Sequence, residues 1–166
     1  MERPAPGTIP DDCHPAVRAI VDYWRSIHPA EGLPGRQHFD PVDVPRLLGN
    51  IGLIEVHENP RRFRIRLYGT KLVAVMGEDY TGKWYHELFE NFETTAQYAD
   101  FCHVVDTGMP HWRRGALRIP VHRDFHFLER VHLPLAGDGK TVDMILTFAM
   151  FFDRDDPFLK SRAVPT

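Results

Sequence analysis

From Pro15 onward the apolar residues Val17, Ile20, Val21, Trp24 and Ile27 recur at i, i+3, i+4, i+7 and i+10. That spacing predicts one face of an amphipathic helix, with Pro15 suited to its first turn and Pro29 ending the run. Ahead of it, residues 1–12 carry Pro4, Pro6 and Pro10 without periodicity, which predicts a flexible arm. Leu33-Pro34-Gly35-Arg36-Gln37-His38-Phe39 reads as loop. Asp40-Pro41 then caps and starts a short helix with Val44, Leu47 and Leu48 on its face and Gly49 as its stop. Pro45 either kinks that helix or delays its start.

After Gly49 the period changes from helical to extended. Ile51 to Val56 is a strand-like run, closed by a turn at Asn59-Pro60. Arg62 to Tyr68 alternates strictly, with Phe63, Ile65 and Leu67 on one face and the arginines with Tyr68 on the other. This is the pattern of a half-buried antiparallel strand. Gly69-Thr70 opens a helix carrying Leu72, Val73, Val75 and Met76, and Gly77 stops it. A helical turn follows around Trp84 to Phe89. A longer helix from about Phe92 to Asp106 places Tyr98, Phe101, Cys102 and Val105 at helical spacing. Three further strands are predicted at His111–Val121, His126–Leu135 and Thr141–Phe152, the last two joined by a hairpin turn over residues 136–140.

The last strand is apolar on both faces, so it must be central and covered twice. The small helices supply one cover; the Trp24 helix or a second subunit supplies the other. The expected class is α+β: a five-stranded antiparallel sheet with a helical insert between strands 2 and 3 and an N-terminal helix. The expected organisation is an arm at 1–12, N-terminal helices at 13–48, a core at 49–156 and a C-terminal tail at 157–166.

Composition narrows the class further. The 166 residues fit one domain. Twenty basic against 23 acidic residues give a net charge of −3, so no basic field exists to hold a nucleic acid backbone. No apolar run approaches the roughly 20 residues of a membrane span, and no apolar signal core follows Met1. Two cysteines, Cys13 and Cys102, form no metal spacing and suit a reducing, cytoplasmic setting.

The element order is that of PAS domains, and local residues agree. Tyr68-Gly69-Thr70-Lys71-Leu72 and Met76-Gly77-Glu78-Asp79-Tyr80-Thr81-Gly82-Lys83-Trp84 look like the PAS stretch after its second strand. More closely, the chain resembles a family of short stand-alone PAS proteins common in alphaproteobacteria, formerly a domain of unknown function. The matching residues are Tyr23-Trp24-Arg25, Leu33-Pro34-Gly35-Arg36, Phe39-Asp40-Pro41, Phe63 to Thr70 and Tyr80-Thr81-Gly82. The resemblance implies a sensory or interaction module, often dimeric, with a small-molecule pocket between sheet and helices. It brings no catalytic residue and leaves the cofactor unknown, because PAS relatives bind haem, flavins, metabolites or nothing.

Candidate chemistry is sparse. None of the ten histidines falls in a His-Glu-x-x-His motif, and no Cys-x-x-Cys exists, so no metal site is expected. His103 is the one positioned haem-ligand candidate, and Cys102 lacks the context of a flavin photosensor. Arg64 and Arg66 share a strand face; they either clamp an anion or pair with Asp40, Asp43 or Glu55. Arg36, Arg66 and Thr70 are the polar residues of the family motif. A cavity, if present, is expected between insert and sheet, lined by Leu67, Leu72, Met76, Trp84, Phe101, Leu146 and Phe148.

Three readings stand. The first is a sensory module binding a small molecule or a signalling protein without catalysis, as a homodimer. The second is a pure protein-interaction module with a filled core, which tight packing would favour. The third is a small enzyme resembling ketosteroid isomerases, with Asp100 or Asp106 and His103 as its acid and base.

Overall fold

In the computed structural model, which describes residues 7–122 and 124–162, strand β5 (Met144–Phe152) lies at the centre of a five-stranded antiparallel sheet. Its companions are β1 (Ile51–His57), β2 (Arg62–Tyr68), β3 (His111–Ala116) and β4 (Phe127–Leu135), in the order β2-β1-β5-β4-β3. Directly opposed residues share a sheet face, so register sorts the core into two layers. Leu146 lies opposite Leu53 and Leu133, and Phe148 opposite Ile51 and Val131. All of these join the layer beneath helix α1 (Pro15–Ser26). Ile145 and Ile54 point the other way, into a layer with Phe63, Ile65, Tyr85, Phe92 and Phe101.

The N-terminal helix covers its own sheet. Val17, Ile20 and Val21 are fully buried, and Trp24 donates its indole N–H to the Pro134 carbonyl at 2.9 Å. Residues 7–12, expected within the arm, pack here too: Ile9 is buried and the Pro10 carbonyl accepts from Arg18. The rest of the expected arm (1–6), Arg123, and residues 163–166 of the expected tail lie outside the described residues. Within that tail, Pro157–Lys160 form a short helix, α5.

The fastening between α1 and the sheet is a buried carboxylate. Glu129 on β4 is fully buried and accepts from the His14 backbone N–H (2.8 Å), Trp112 Nε1 (3.0 Å) and Arg114 Nε (3.2 Å). Arg114 also donates to the side chain and carbonyl of Asp12. His14 in turn caps α1, its Nδ1 accepting from Ala16 N–H. A charge can be buried this way because every partner is itself a donor.

The insert consists of α2 (Thr70–Met76), α3 (Tyr85–Leu88) and α4 (Ala96–Thr107). Gly69 precedes α2 where a Cβ would fall 2.4 Å from the Gly49 carbonyl oxygen, so only glycine fits this crossing. Several boundaries differ from expectation. The predicted helix after Asp40 is two separate 3-10 turns, Pro41–Asp43 and Leu48–Asn50, because Pro45 interrupts it. The helix predicted from Phe92 splits into a 3-10 turn and α4, whose cap is Thr95. β3 ends at Ala116 rather than Val121, and the following residues leave the sheet to cross α2.

Glu129→Ala strands the Arg114 guanidinium and two N–H donors in the interior. We expect a loss of about 3–5 kcal/mol in urea unfolding. A loss under about 1 kcal/mol would show that the carboxylate is not the fastening.

Candidate functional site

The space between insert and sheet has an apolar end and a polar end. At the apolar end β2, α2, α3 and the start of α4 enclose a cavity of about 30 Å³ lined by Ile65, Tyr68, Met76, Tyr80, Tyr85, Leu88, Phe89, Gln97 and Ile119. That is room for about one water, whereas small-molecule sites measure about 300–1,000 Å³. Aromatic rings fill the remainder. Tyr85 stacks on Phe92 at 5.0 Å and meets Phe101 edge-on at 5.2 Å, and Phe63 lies 5.0 Å from Phe101. Burial raises the Tyr68 and Tyr85 phenols well above their ordinary range, so both stay neutral. The outer wall is the segment after β3. Ile119 faces the cavity and the His122 N–H donates to the Val75 carbonyl at 2.8 Å.

At the polar end α4 lies over β3 and β4. Here His111 opposes His132 and Arg113 opposes Arg130. Arg130 donates to His111 Nδ1 at 3.0 Å and to the Asp100 carboxylate. An arginine can only donate, so His111 Nδ1 accepts and its proton lies on Nε2, 3.5 Å from Asp100. His132 bonds through Nδ1 to Thr147 Oγ1 (2.9 Å) and packs against the Phe101 ring. The Nε2 atoms of His132 and His103 are buried without a partner. Burial, reinforced by Arg130, pushes His111 down to about 4 and His132 well below its ordinary value. Burial also lowers Arg130 to about 10, opposed by Asp100. Among the described residues no group of three or more His, Cys, Asp or Glu side chains is placed to hold a metal ion.

Of the residues expected to line a cavity, Met76 is in its wall. Leu72 is buried beside Gly52, and Phe101 lies in the aromatic layer behind the cavity. The other four lie elsewhere. Leu67 is 41% exposed because a bulge opposite Leu53/Ile54 makes Arg66 an extra residue. One added residue reverses the alternation, and Tyr68 takes the inner position. Leu146 and Phe148 face α1, as register requires. Trp84 caps α3 from outside the sheet edge, bridging to Arg64 and packing on His57, while the next residue, Tyr85, turns inward.

The motif polar residues Arg36, Arg66 and Thr70 do not form one site. Arg36 donates to the Phe39 carbonyl, Arg66 lies 3.7 Å from Glu55, and Thr70 begins α2 beside Gly49. Arg64 also faces Glu55, at 3.9 Å, so these strand arginines pair structurally. The acids of the enzyme reading are engaged elsewhere, Asp100 with Arg130 and Asp106 with Arg61 at 2.8 Å. Sequence reasoning missed Glu129, the His132–Thr147 pair and the opposition of Arg113 to Arg130. The long connection between β3 and β4 conceals their register, so no local pattern announces these pairs.

A five-stranded antiparallel sheet of order 2-1-5-4-3, with consecutive helices between its second and third strands laid over one face, defines a sensory or interaction module of PAS type. The chain belongs to the PAS domain family: a family model described as PAS domain matches residues 13–148, from the turn before α1 into β5. No curated protein matches the chain. Among the described residues no helix is long and apolar enough to cross a membrane.

The histidines generate a pH prediction. His111 and His132 have lower pKa values folded than their ordinary 6.5, so the unfolded chain binds more protons as pH falls below that value. Their contribution to stability is complete above 6.5 and is lost as pH falls toward about 4. Urea midpoints between these limits should fall with pH, less steeply for His132→Gln than for the parent. Equal slopes would remove His132 from the account.

Proposed function

We propose that this PAS domain is an interaction module with a filled core, which signals by contact with a protein partner or a second copy of itself and performs no catalysis. The observation that carries this reading is the cavity of about 30 Å³ where a ligand-binding PAS core would be hollow. Haem or flavin would need at least about tenfold more volume. The engagement of Asp100 and Asp106 in internal ion pairs supports the absence of a general acid–base pair. A contact mechanism is a population shift, in which a partner stabilises one arrangement of the insert or of α1.

Native mass spectrometry with an absorbance spectrum of the same sample tests this reading. The expected result is a homodimer of the bare chain mass, with neither a Soret nor a flavin band. A bound mass released on denaturation would sink the filled-core reading. The role of α1 has its own measurement. Removing residues 1–30 should bare the outer apolar layer and change the species seen by light scattering. An unchanged oligomeric state with undiminished solubility would count against α1 as a cover.

A further inference from the structure

Ala19 and Tyr23 lie outside the buried face of α1 and form one wall of an open groove of about 480 Å³. Residues 43–47 form the other wall, and Val44 and Leu47 belong to the same apolar layer that α1 covers. The groove therefore opens the outer core to solvent, and apolar surface left open in this way marks a site of association.

A knob stands directly beside this hole. Val42 is 80% exposed, well above Leu67 and Met109, the other large apolar side chains in the open among the described residues. It does not hang on a loose loop. It sits in the 3-10 turn Pro41–Asp43, where proline fixes the first φ and the Asp40 carboxylate accepts from the Val42 N–H at 3.0 Å. Tyr23, itself a wall of the groove, accepts from the Asp40 N–H at 2.9 Å and so ties the turn to α1. A valine held rigidly away from its own core loses little freedom on docking.

The rim carries both signs of charge. Asp43 and Arg46 are exposed. Among the described residues Asp43 takes only the Tyr23 hydroxyl, at 3.3 Å, and Arg46 enters no ion pair. Knob, hole, acid and base thus lie side by side on one face of one chain.

We propose that this face binds a second copy of the chain about a twofold axis, with Val42 of each protomer in the groove of the other. A twofold interface must be self-complementary, so a knob next to its own hole is filled twice by one symmetric contact. The same axis lets Arg46 of one protomer meet Asp43 of its partner in both directions. Because the groove joins α1 to the segment leading into β1, docking fixes the position of α1 on the sheet. This surface rests on the contact reading proposed above and names its partner.

The test is sedimentation velocity of the full chain over a range of concentrations. The wild type should pass from monomer to dimer and grow no further. Val42→Asp and Ala19→Glu, both at exposed positions, should each weaken the dimer at least about thirtyfold with the far-UV spectrum unchanged. Leu67→Asp, on the β2 edge, should leave it intact. Arg46→Asp and Asp43→Arg should each weaken it alone, since each sets like charges against one another. Mixed in equal amounts they should recover a heterodimer, because both pairings become attractive. A wild type that stays monomeric overturns the proposal and leaves contact signalling to a different protein. A dimer that survives Val42→Asp and Ala19→Glu overturns the surface while the contact reading stands. Growth beyond the dimer overturns the twofold arrangement.

Discussion

The rest of the structure depends on β5 being buried on both faces. Leu146 and Phe148 on one side and Ile145 on the other are all inaccessible to solvent. Each such side chain contributes about 1.5–3 kcal/mol only when the face it projects from is covered, so both covers are needed. A sheet in that position needs two layers of helix, and the chain supplies them from different places. The insert between β2 and β3 makes one, and α1 from ahead of the sheet makes the other. The family match begins before α1, in keeping with a helix that is part of the core.

The two covers are held by different physics. On the outer side α1 is packed by aliphatic residues and pinned by Glu129, a charge whose burial is tolerable because three donors converge on it. On the inner side the insert meets the sheet through an aromatic layer at β1 and β2 and through an arginine–histidine cluster at β3 and β4. The aromatic layer leaves almost no free volume. In the charged cluster Arg130 donates to Asp100 and His111, and Arg113 to the Ala116 carbonyl. Aromatic packing at one end and charge-assisted hydrogen bonds at the other therefore hold the insert to one face of the sheet.

Much of the architecture was legible in local pattern. The 3.6-residue spacing from Val17 to Ile27 placed α1, the alternation from Arg62 to Ile65 placed the start of β2, and the unbroken apolar run of β5 identified the central strand. Lining residues were far less legible. Leu67 obeys the alternation of its own strand and is outside all the same, because the bulge is a property of the β1–β2 pair. Trp84 and Tyr85 are adjacent aromatics with opposite fates, decided by the extended backbone of Trp84 at the sheet edge.

The sequence by itself determined the element order, the helical insert, the double covering of β5 and the membership in a fold class. These follow from short-range periodicity and turn chemistry, which act within a few residues. Only the tertiary structure decided which face of β5 looks at which cover, that Glu129 is the buried fastening, that Arg113 meets Arg130, and that the cavity is reduced to the volume of about one water. Each depends on strand register or on side chains meeting from distant segments. A period-two pattern is unchanged when read from either face, so nothing local can choose between them.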